Sequence, residues 1–409
     1  MAHTKPSSPA PDPRAEPATE PDPRLASGGR APEGTPLYLH LPFCVALCHY
    51  CDFFSVTAEG QDIDGVLEAL LCEARLRAPA SPRTVYLGGG TPSLPSAAQL
   101  RRLLDGLDAC CGFRASAVEV TAECNPESLD AAKAAALLAG GVDRLSVGVQ
   151  SLRPRLLEQF GRVHSASEGL DALAAAREAG CENLSADLIF AAPGLDAASW
   201  REDLAALLEL GLDHLSAYNL AFEEQTPFAR RLARGELVAQ PEACELEQFR
   251  ITRELCSDAG LEPYEISSFA SRGRRCEHNR NYWANGSYVG LGPSAVSHVG
   301  GVRFGNPRAI APWREAVCAG RPAAQWSERL DADERLGETW WLGLRTAEGV
   351  DPRLARRTAG FVGRDDPAGT VAADLIAEGL LEERAGRVRL SERGLPLADA
   401  VAARFLGGF

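Results

Sequence analysis

The 409-residue sequence contains a single methionine, Met1, and no long uninterrupted apolar run. Because Met1 is the only methionine, no site within the folded chain can use a methionine thioether. A membrane-spanning helix needs about 18 or more consecutive apolar residues, which this sequence lacks. The N-terminal stretch also lacks the apolar core of a secretory signal. We therefore expect no transmembrane segment and a cytoplasmic protein.

Basic residues are also scarce relative to acidic ones. The chain has 42 Lys and Arg residues against 56 Asp and Glu residues, which gives a net charge of −14. An acidic chain repels the phosphate backbone of nucleic acids, although a local basic patch can override the total. We therefore expect no nucleic-acid partner.

Cysteine, in contrast, is plentiful, with twelve residues in the chain. A chain of this length in a reducing compartment does not need disulfides. Nine of the cysteines are scattered, and we expect most of them to be small core or helix-face residues. The other three, Cys44, Cys48 and Cys51, lie within eight residues and need a separate explanation.

Residues 1–34 are rich in Pro, Ala, Ser and Gly, and this composition predicts a disordered tail. From residue 36 onward, short apolar strands alternate with longer amphipathic helices. The predicted strands are 37–41, 84–87, 118–123, 144–149, 184–190 and 214–220. The predicted helices are 63–76, 97–110, 129–139, 166–179 and 198–210. Repeated strand–helix units with right-handed crossovers build a parallel sheet.

About six such units predict an α/β fold with a partial (β/α)6, TIM-like barrel rather than a complete eight-fold one. The rhythm breaks after residue 270, so we assign 35–270 to the barrel and 271–409 to a C-terminal α+β domain. Helices from Asp331 onward, followed by a short hairpin over 381–390, predict a winged-helix-like module. From Leu330 onward 14 acidic residues face 11 basic ones, which disfavours a DNA-binding wing.

The three clustered cysteines directly follow the first predicted strand, in the string C-V-A-L-C-H-Y-C. Three thiolates on one loop can hold three irons of a cubane cluster and leave the fourth iron open. A structural zinc site would need four ligands, and the nearby candidate, His49, would have to fold its ring back. Unrelated core cysteines are disfavoured because Pro42 and the loop offer no helix or strand face. The spacing therefore predicts a [4Fe-4S] cluster.

Single polar residues or glycines mark the ends of four successive predicted strands. Glycines at 88–90 follow the second strand, and Glu123, Gln150 and Asp187 lie in or after the next three. Each could be a turn or a helix cap when taken alone. Since the carboxyl ends of parallel strands meet at one edge, a shared pocket explains the set better. Arg162 adds a cation that can face a carboxylate.

The C-x3-C-x2-C spacing resembles that of the radical-SAM superfamily. In that superfamily S-adenosylmethionine chelates the open iron, and an electron from the reduced cluster cleaves its C–S bond to a 5′-deoxyadenosyl radical. From about residue 36 to its end, the chain is similar to the coproporphyrinogen III oxidase-like family, which implies an electron donor for the cluster. The resemblance implies SAM contacts at Tyr38, Gly89, Gly90, Thr91, Glu123, Gln150, Arg162, Asp187 and Ala221.

Two features divide this family. Its coproporphyrinogen III dehydrogenases carry a further cysteine two residues after the third ligand, where this chain has Phe53. Residues 278–283 read H-N-R-N-Y-W and resemble the heme-binding motif of the family's heme chaperones. This resemblance implies heme contacts at His278, Tyr282 and Trp283. Without it, His278 reads as a structural histidine, as most lone histidines do.

The chemistry of heme binding agrees with the motif. The axial ligands of heme iron are usually His, Met, Cys or Tyr. Since Met1 is the sole methionine, a methionine ligand is excluded. The flat rings of Tyr282 and Trp283 can pack on a porphyrin. Arg274 and Arg275, just upstream, are candidates to meet its propionates.

These features favour a heme chaperone that binds heme and transfers it to acceptor hemoproteins, including respiratory ones at the membrane surface. The alternatives are an oxygen-independent coproporphyrinogen III dehydrogenase and a nucleic-acid-binding regulator. Phe53 and the H-N-x-x-Y-W string favour the chaperone over the dehydrogenase, and the acidic C-terminal region disfavours the regulator. The sequence leaves open whether SAM is cleaved or only bound.

Overall fold

A computed structural model of the chain describes residues 30–362 and 366–406. The strands are β1 (Leu37–Leu41), β2 (Phe43–Cys44), β3 (Val56–Thr57), β4 (Thr84–Gly89), β5 (Glu119–Cys124), β6 (Arg144–Gln150), β7 (Leu184–Phe190), β8 (His214–Asn219), β9 (Glu262–Pro263), β10 (Ser268–Ala270), β11 (Val289–Leu291), β12 (Val296–Val299), β13 (Val302–Gly305), β14 (Trp326–Arg329), β15 (Leu381–Arg384) and β16 (Arg387–Leu390).

The helices are α1 (Ile63–Arg77), α2 (Ala97–Cys111), α3 (Phe113–Ser116), α4 (Ala131–Ala139), α5 (Pro154–Phe160), α6 (Ala166–Glu178), α7 (Ala197–Leu208), α8 (Pro227–Ala233), α9 (Glu242–Asp258), α10 (Glu277–Trp283), α11 (Ile310–Cys318), α12 (Ala332–Gly343), α13 (Pro352–Ala359), α14 (Pro367–Ala377) and α15 (Ala398–Ala403). Short 3-10 turns span Pro126–Ser128 and Leu395–Leu397.

The centre of the fold is a nine-stranded sheet in the order β11-β1-β4-β5-β6-β7-β8-β10-β9. From β11 to β8 all neighbours pair in parallel, whereas β10 and β9 are antiparallel at the far edge. In the described part of the chain the two edge strands, β11 and β9, do not pair with each other. The sheet is therefore open, which agrees with the predicted α/β fold and partial (β/α)6 barrel.

Capping residues set the ends of the outer helices. Ser96 begins α2 with a reciprocal capping box to Gln99, and Ser165 does the same for α6 with Glu168. These side chains satisfy amides that have no partner within the helix. Gly112 ends α2 with a φ of 66°, a left-handed conformation that favours glycine. The predicted helices therefore begin and end within a few residues of the observed ones.

A buried carboxylate ties the C-terminal strands to α1. Glu73, fully buried, accepts hydrogen bonds from Gly292 N, Asn306 Nδ2 and Trp313 Nε1, each at 2.8 Å. Its other neighbour is the buried guanidinium of Arg77, at 3.3 Å. Because an unpaired carboxylate is costly inside a protein, these donors fix β11 and α11 against the barrel.

The C-terminal part combines helices with small antiparallel sheets. β12, β13 and β14 form one sheet, and α12–α14 precede the hairpin of β15 and β16. The hairpin turns at Ala385 and Gly386, both with positive φ, and this order agrees with the predicted winged-helix-like module. β11, which follows the boundary predicted at 270/271, joins the central sheet beside β1. The boundary itself stays a prediction.

Most of the predicted disordered tail, residues 1–29, lies outside the described residues. The end of that stretch is described, and there the Gly34 amide donates to the Ala80 carbonyl at 3.1 Å. Within the described ranges, none of the helices has the length and apolar character that crossing a membrane requires.

Candidate functional site

The cysteine loop leaves the sheet at the carboxyl end of β1. Cys44 closes β2, which pairs with β3 on the far side of the loop. Backbone hydrogen bonds hold the loop at His49, whose amide donates to Phe160 O at 2.8 Å and whose carbonyl accepts from Phe228 N at 3.0 Å. The loop is therefore fixed at both ends and in its middle.

Cys44, Cys48 and Cys51 line one cavity of about 180 Å³ at the carboxyl ends of the strands. Burial, with a further contribution from the neighbouring Cys48, raises the pKa of Cys51 to about 12. Burial also raises the pKa of Cys44. Such mutually repelling thiolates are stabilised when a cationic metal centre binds them, since binding displaces their protons.

The donor set fits a cluster better than a single ion. Over residues 30–362 and 366–406, no three His, Cys, Asp or Glu side chains lie close enough together to hold one metal ion. The three thiols instead line one cavity of about 180 Å³. His49 directs Nδ1 to the Gln159 carbonyl at 2.9 Å and does not line the cavity. It therefore supplies no fourth ligand for zinc in this conformation.

The glycine turn after β4 packs directly against the start of the cysteine loop. Gly89 has a φ of 109°, and a Cβ there would lie 2.7 Å from the His40 ring. A Cβ on Gly90 would lie 2.6 Å from the Phe43 carbonyl oxygen. Both positions thus require glycine. Thr91 follows, and its side chain hydrogen-bonds to the Cys44 thiol, which lowers the pKa that burial raises.

Two carboxylates, from β5 and β7 on either side of β6, face the same cavity. Glu123 accepts from the Tyr86 hydroxyl at 2.8 Å and from Gly89 N at 3.3 Å. Asp187 accepts from the Ser146 hydroxyl, at 3.2 and 3.3 Å to its two oxygens. These acids suit a cationic amine or ribose hydroxyls on a ligand.

Arg162 brings a buried cation to the cysteines. Its Nη1 donates to Cys48 Sγ at 3.4 Å, and its Nη2 donates to Asn125 Oδ1 at 2.9 Å and to Gly148 O at 3.0 Å. Glu127 lies 3.7 Å from the same nitrogen. The buried Arg162 Nε has no hydrogen-bond partner among the described residues. The guanidinium is therefore held in place against one sulfur of the cysteine loop.

The structure brings together most of the positions expected to contact SAM. Those that line the small cavity are Gly89, Gly90, Glu123, Gln150, Arg162, Asp187 and Ala221. Tyr38 instead lines the adjoining larger cavity, and Thr91 lies behind Cys44. Sequence reasoning missed Asn125, Ser146 and Tyr218, which also line the small cavity. Of these three, only Asn125 could have been suspected from the sequence, because it lies two residues after Glu123.

A larger cavity of about 570 Å³ adjoins the first. This volume lies within the roughly 300–1,000 Å³ typical of small-molecule sites. Its aromatic lining consists of Tyr38, Phe53, Phe54, Tyr86, Tyr218, Tyr282, Trp283, Tyr288, Trp326 and Trp341. The residues shared with the small cavity are Asp52, Phe53, Gly89, Glu123 and Tyr218. The geometry thus provides a broad aromatic chamber next to the cysteine pocket.

The structure gives His278 a different place from the one expected. Its side chain is fully buried and does not line the large cavity. Nδ1 lies 2.7 Å from Thr84 Oγ1, and Nε2 lies 2.9 Å from the Tyr282 hydroxyl. The reason is the position of α10, whose first amides donate to the buried Glu119 carboxylate on β5. Tyr282 and Trp283, by contrast, line the cavity, and heme contact at these two residues stays a prediction.

Several buried polar atoms around the large cavity have no hydrogen-bond partner within the described part of the chain. They are Glu265 Oε2, Trp283 Nε1, Asn306 Oδ1 and Arg345 Nε. Buried polar groups are normally paired, so these four atoms are exceptions among the residues that line the chamber.

Arginines at the cavity differ from those expected to meet propionates. Arg274 lies 3.8 Å from Glu182 and Arg275 lies 2.8 Å from Glu348, and neither lines the cavity. Arg308 does line it, and its Nη2 donates to the Asp52 carbonyl at 3.2 Å. Arg345 also lines it, 4.9 Å from the centre of the Trp283 ring, and its Nη1 is paired with Asp399 at 2.9 Å. These two cations are better placed for an anionic group in the chamber.

Comparison with known proteins agrees with this architecture. Residues 38–210 match the Radical SAM superfamily, and residues 330–397 match the HemN C-terminal domain. The chain is similar in fold to coproporphyrinogen III oxidase (HemN) from Escherichia coli, a radical-SAM enzyme. The TM-score is 0.79 at 23% identity, over 94% of this chain and 92% of that one.

Sequence relatives cover nearly the whole chain. The heme chaperone HemW of Bacillus subtilis (strain 168) is 34% identical over 90% of this chain and 98% of its own length. HemW of Escherichia coli (strain K12) is 30% identical over 90% of this chain and 97% of its own length. A third relative is the mitochondrial radical S-adenosyl methionine domain-containing protein 1 of Mus musculus. It is 33% identical over 94% of this chain and 91% of its own length. The chain belongs to the HemW-type heme chaperones of the coproporphyrinogen III oxidase-like radical-SAM family.

Proposed function

We propose that this protein binds heme in the large cavity and transfers it to acceptor hemoproteins. The observation that carries the proposal is the aromatic chamber of about 570 Å³, whose wall includes Tyr282 and Trp283 of the H-N-x-x-Y-W string. A porphyrin is a flat apolar disc with carboxylates at one edge. Flat rings pack on its faces, and Arg308 and Arg345 can receive the carboxylates. Respiratory hemoproteins at the membrane surface are candidate acceptors.

In this proposal the small cavity holds the cofactors. Cys44, Cys48 and Cys51 bind a [4Fe-4S] cluster, and SAM occupies the space lined by Glu123 and Asp187. When bound and reduced by an electron donor, this pair supplies one-electron chemistry. The protein's own contribution is to orient the ligand and to exclude water.

Individual residues supply this orientation. Gly89 and Gly90 let the chain pack closely against His40 and Phe43, which fixes the backbone that lines the small cavity. Arg162 compensates negative charge at the Cys48 sulfur, from which its Nη1 is 3.4 Å away. Asn125 in turn holds the guanidinium, at 2.9 Å. A cation fixed in this way stabilises thiolates without having to reorganise.

The proposal is tested by heme titration of anaerobically reconstituted protein, followed by transfer to apomyoglobin as a probe acceptor. We expect stoichiometric uptake in the absorbance spectrum. Loss of heme to the acceptor should accelerate with acceptor concentration, since direct transfer requires an encounter. Trp341→Ala, which removes one aromatic wall, should weaken heme binding about tenfold, because burying an aromatic face contributes of order 1 kcal/mol or more. The surface change Val238→Ala serves as the control.

Two outcomes would contradict this function. If the protein takes up no heme, heme is not what it transfers. If it decarboxylates added coproporphyrinogen III, the chain is assigned to the dehydrogenases instead. A transfer rate independent of acceptor concentration would indicate passive release rather than delivery.

The cluster has its own test. Cys48→Ser should lose the visible absorption and the four irons per chain, because three thiolates are needed to hold the cubane. Cys318→Ser, at an exposed position on α11, should keep both. A full complement of iron in the Cys48 variant would refute the ligand assignment.

A further inference from the structure

We infer that His298, on β12, is the residue that ligates the iron of heme bound in the large cavity. The inference rests on the proposed heme-binding function and assigns a residue outside the H-N-x-x-Y-W string. The observation behind it is that His298 lines the chamber, as His40 does, whereas the motif histidine, His278, does not.

Three histidines of the described chain lie in or beside the chamber, and two have both ring nitrogens engaged. His278 is bonded to Thr84 and Tyr282. His40 accepts from the Tyr38 hydroxyl at 3.0 Å and donates Nε2 to the Phe54 carbonyl at 2.8 Å. A nitrogen used in such a bond must break it before it can bind iron. His298 needs no such rearrangement.

The His298 ring is held by its surroundings in a way that suits ligation. One ring nitrogen donates to the Gly286 carbonyl, which leaves the other for a ligand. Metal-binding histidines characteristically donate their second nitrogen to a carbonyl or carboxylate, which fixes the tautomer and the ring plane. The backbone is fixed too, since His298 N donates to Tyr288 O at 2.9 Å and Tyr288 N donates to His298 O at 2.8 Å.

The surroundings of His298 favour its neutral form, chiefly through burial. Burial lowers the pKa of His298, and the cation of Arg303 lowers it further against the opposing charge of Glu338. Arg335 acts in the same direction as Arg303. A neutral imidazole is the form that binds metal, so the ring is ready for iron near pH 7.

The motif then acts as a support for the chamber wall. His278 meets Tyr282 edge-on at 5.0 Å between ring centroids, and Tyr282 meets Tyr288 edge-on at 4.7 Å. Tyr288 meets His298 edge-on at 6.2 Å. A row of four rings therefore joins the buried motif histidine to the proposed ligand. In this arrangement His278 is a positioning residue.

The test compares the heme complexes of the wild type, His298→Ala and His278→Ala by absorbance and electron paramagnetic resonance. We expect His298→Ala to lose the nitrogen-ligand signature and to bind heme at least tenfold more weakly. Added imidazole should restore the signature in that variant, because it can occupy the vacated space. His278→Ala should weaken binding but keep the signature. His3→Ala, which removes a histidine that the proposal does not use, is the control and should keep the wild-type spectrum.

The failures are distinguishable. If the wild type takes up no heme, the proposed function fails. If it takes up heme and His298→Ala keeps an unchanged signature, the ligand assignment alone is overturned. Loss of the signature in His278→Ala but not in His298→Ala would return the role to the motif histidine. His298→Phe, with circular dichroism and iron content, separates lost ligation from lost folding.

Discussion

The hydroxyl of Tyr282 lies 2.9 Å from Nε2 of His278, one helical turn away on α10. The other ring nitrogen reaches Thr84 on β4, so the imidazole joins the helix to the central sheet. The same tyrosine presents its ring to the large cavity. Two residues of the H-N-x-x-Y-W string thus form one unit, half of it in the core and half in the cavity wall.

The first prediction concerns the strength of this unit. Tyr282→Phe leaves a buried imidazole nitrogen without a partner, which should lower the free energy of unfolding by about 1–3 kcal/mol. In a double-mutant cycle with His278→Leu, the two changes should couple by roughly 0.5–3 kcal/mol. Urea unfolding measures both values. Strictly additive effects would show that the hydrogen bond does not stabilise the fold.

The second prediction is an acid-side loss of stability. Burial lowers the pKa of His278 from 6.5 to about 3 and that of His40 from 6.5 to about 4. Below pH 6.5 the unfolded chain therefore binds protons that the folded chain does not. Stability is highest above pH 6.5 and falls by about 1.4 kcal/mol per pH unit for each histidine. The fall due to His40 ends near pH 4 and that due to His278 near pH 3.

Urea unfolding between pH 7 and pH 5 checks this slope. His278→Asn removes one titrating group, so the stability of the variant should depend less steeply on pH, by about 1.4 kcal/mol per unit. Parallel curves for variant and wild type would mean that His278 keeps an ordinary pKa in the folded chain.

The third prediction concerns the buried Glu73. Glu73→Leu leaves Arg77 charged and unpaired in the core and removes the acceptor of Trp313 Nε1. Such a loss should cost about 3–5 kcal/mol of unfolding free energy. Glu68→Leu, at an exposed position on the same helix, should stay within about 0.5 kcal/mol. Thermal and chemical unfolding compare the pair, and equal effects would refute the network's role.

The fourth prediction concerns Arg162 and the proposed cluster. Arg162→Gln removes a cation from the Cys48 sulfur, so the more negative, reduced cluster loses stabilisation. Hydrogen bonds and net charge at the sulfurs set such potentials, and the variant's reduction potential should be more negative than that of the wild type. Arg155→Gln, at an exposed position on α5, is the matched control. A potential unchanged in both variants would contradict the contact.

Much of the barrel was predictable because its strands are short apolar runs between helices with clear caps. The strands predicted at 37–41 and 184–190 agree with β1 and β7 at both ends. β11 was missed because it has only three residues, Val289–Leu291, with a glycine at its centre, which is too short a pattern to indicate a strand. It is β1, its neighbour in the sheet, that makes this segment a strand.

Part of the candidate site was likewise predictable from the sequence, and part was not. Glu123, Gln150 and Asp187 were predicted to share a pocket because carboxyl ends of parallel strands meet, and they do line one cavity. The orientation of His278 was not predictable, since it depends on Glu119, more than 150 residues earlier, capping α10. His298 lies in a hairpin with no motif, so only the folded chain brings it to the chamber.

The wall shared by the two cavities has a thermodynamic consequence. Glu123 and Tyr218 belong to both linings, so an occupant of one cavity touches residues that the other occupant also touches. Two ligands that contact common side chains have coupled binding free energies, and such coupling is reciprocal. Under the proposed function, any factor by which SAM changes the affinity for heme is also the factor by which heme changes the affinity for SAM. The proposed loading and release of heme would then respond to SAM bound in the neighbouring cavity.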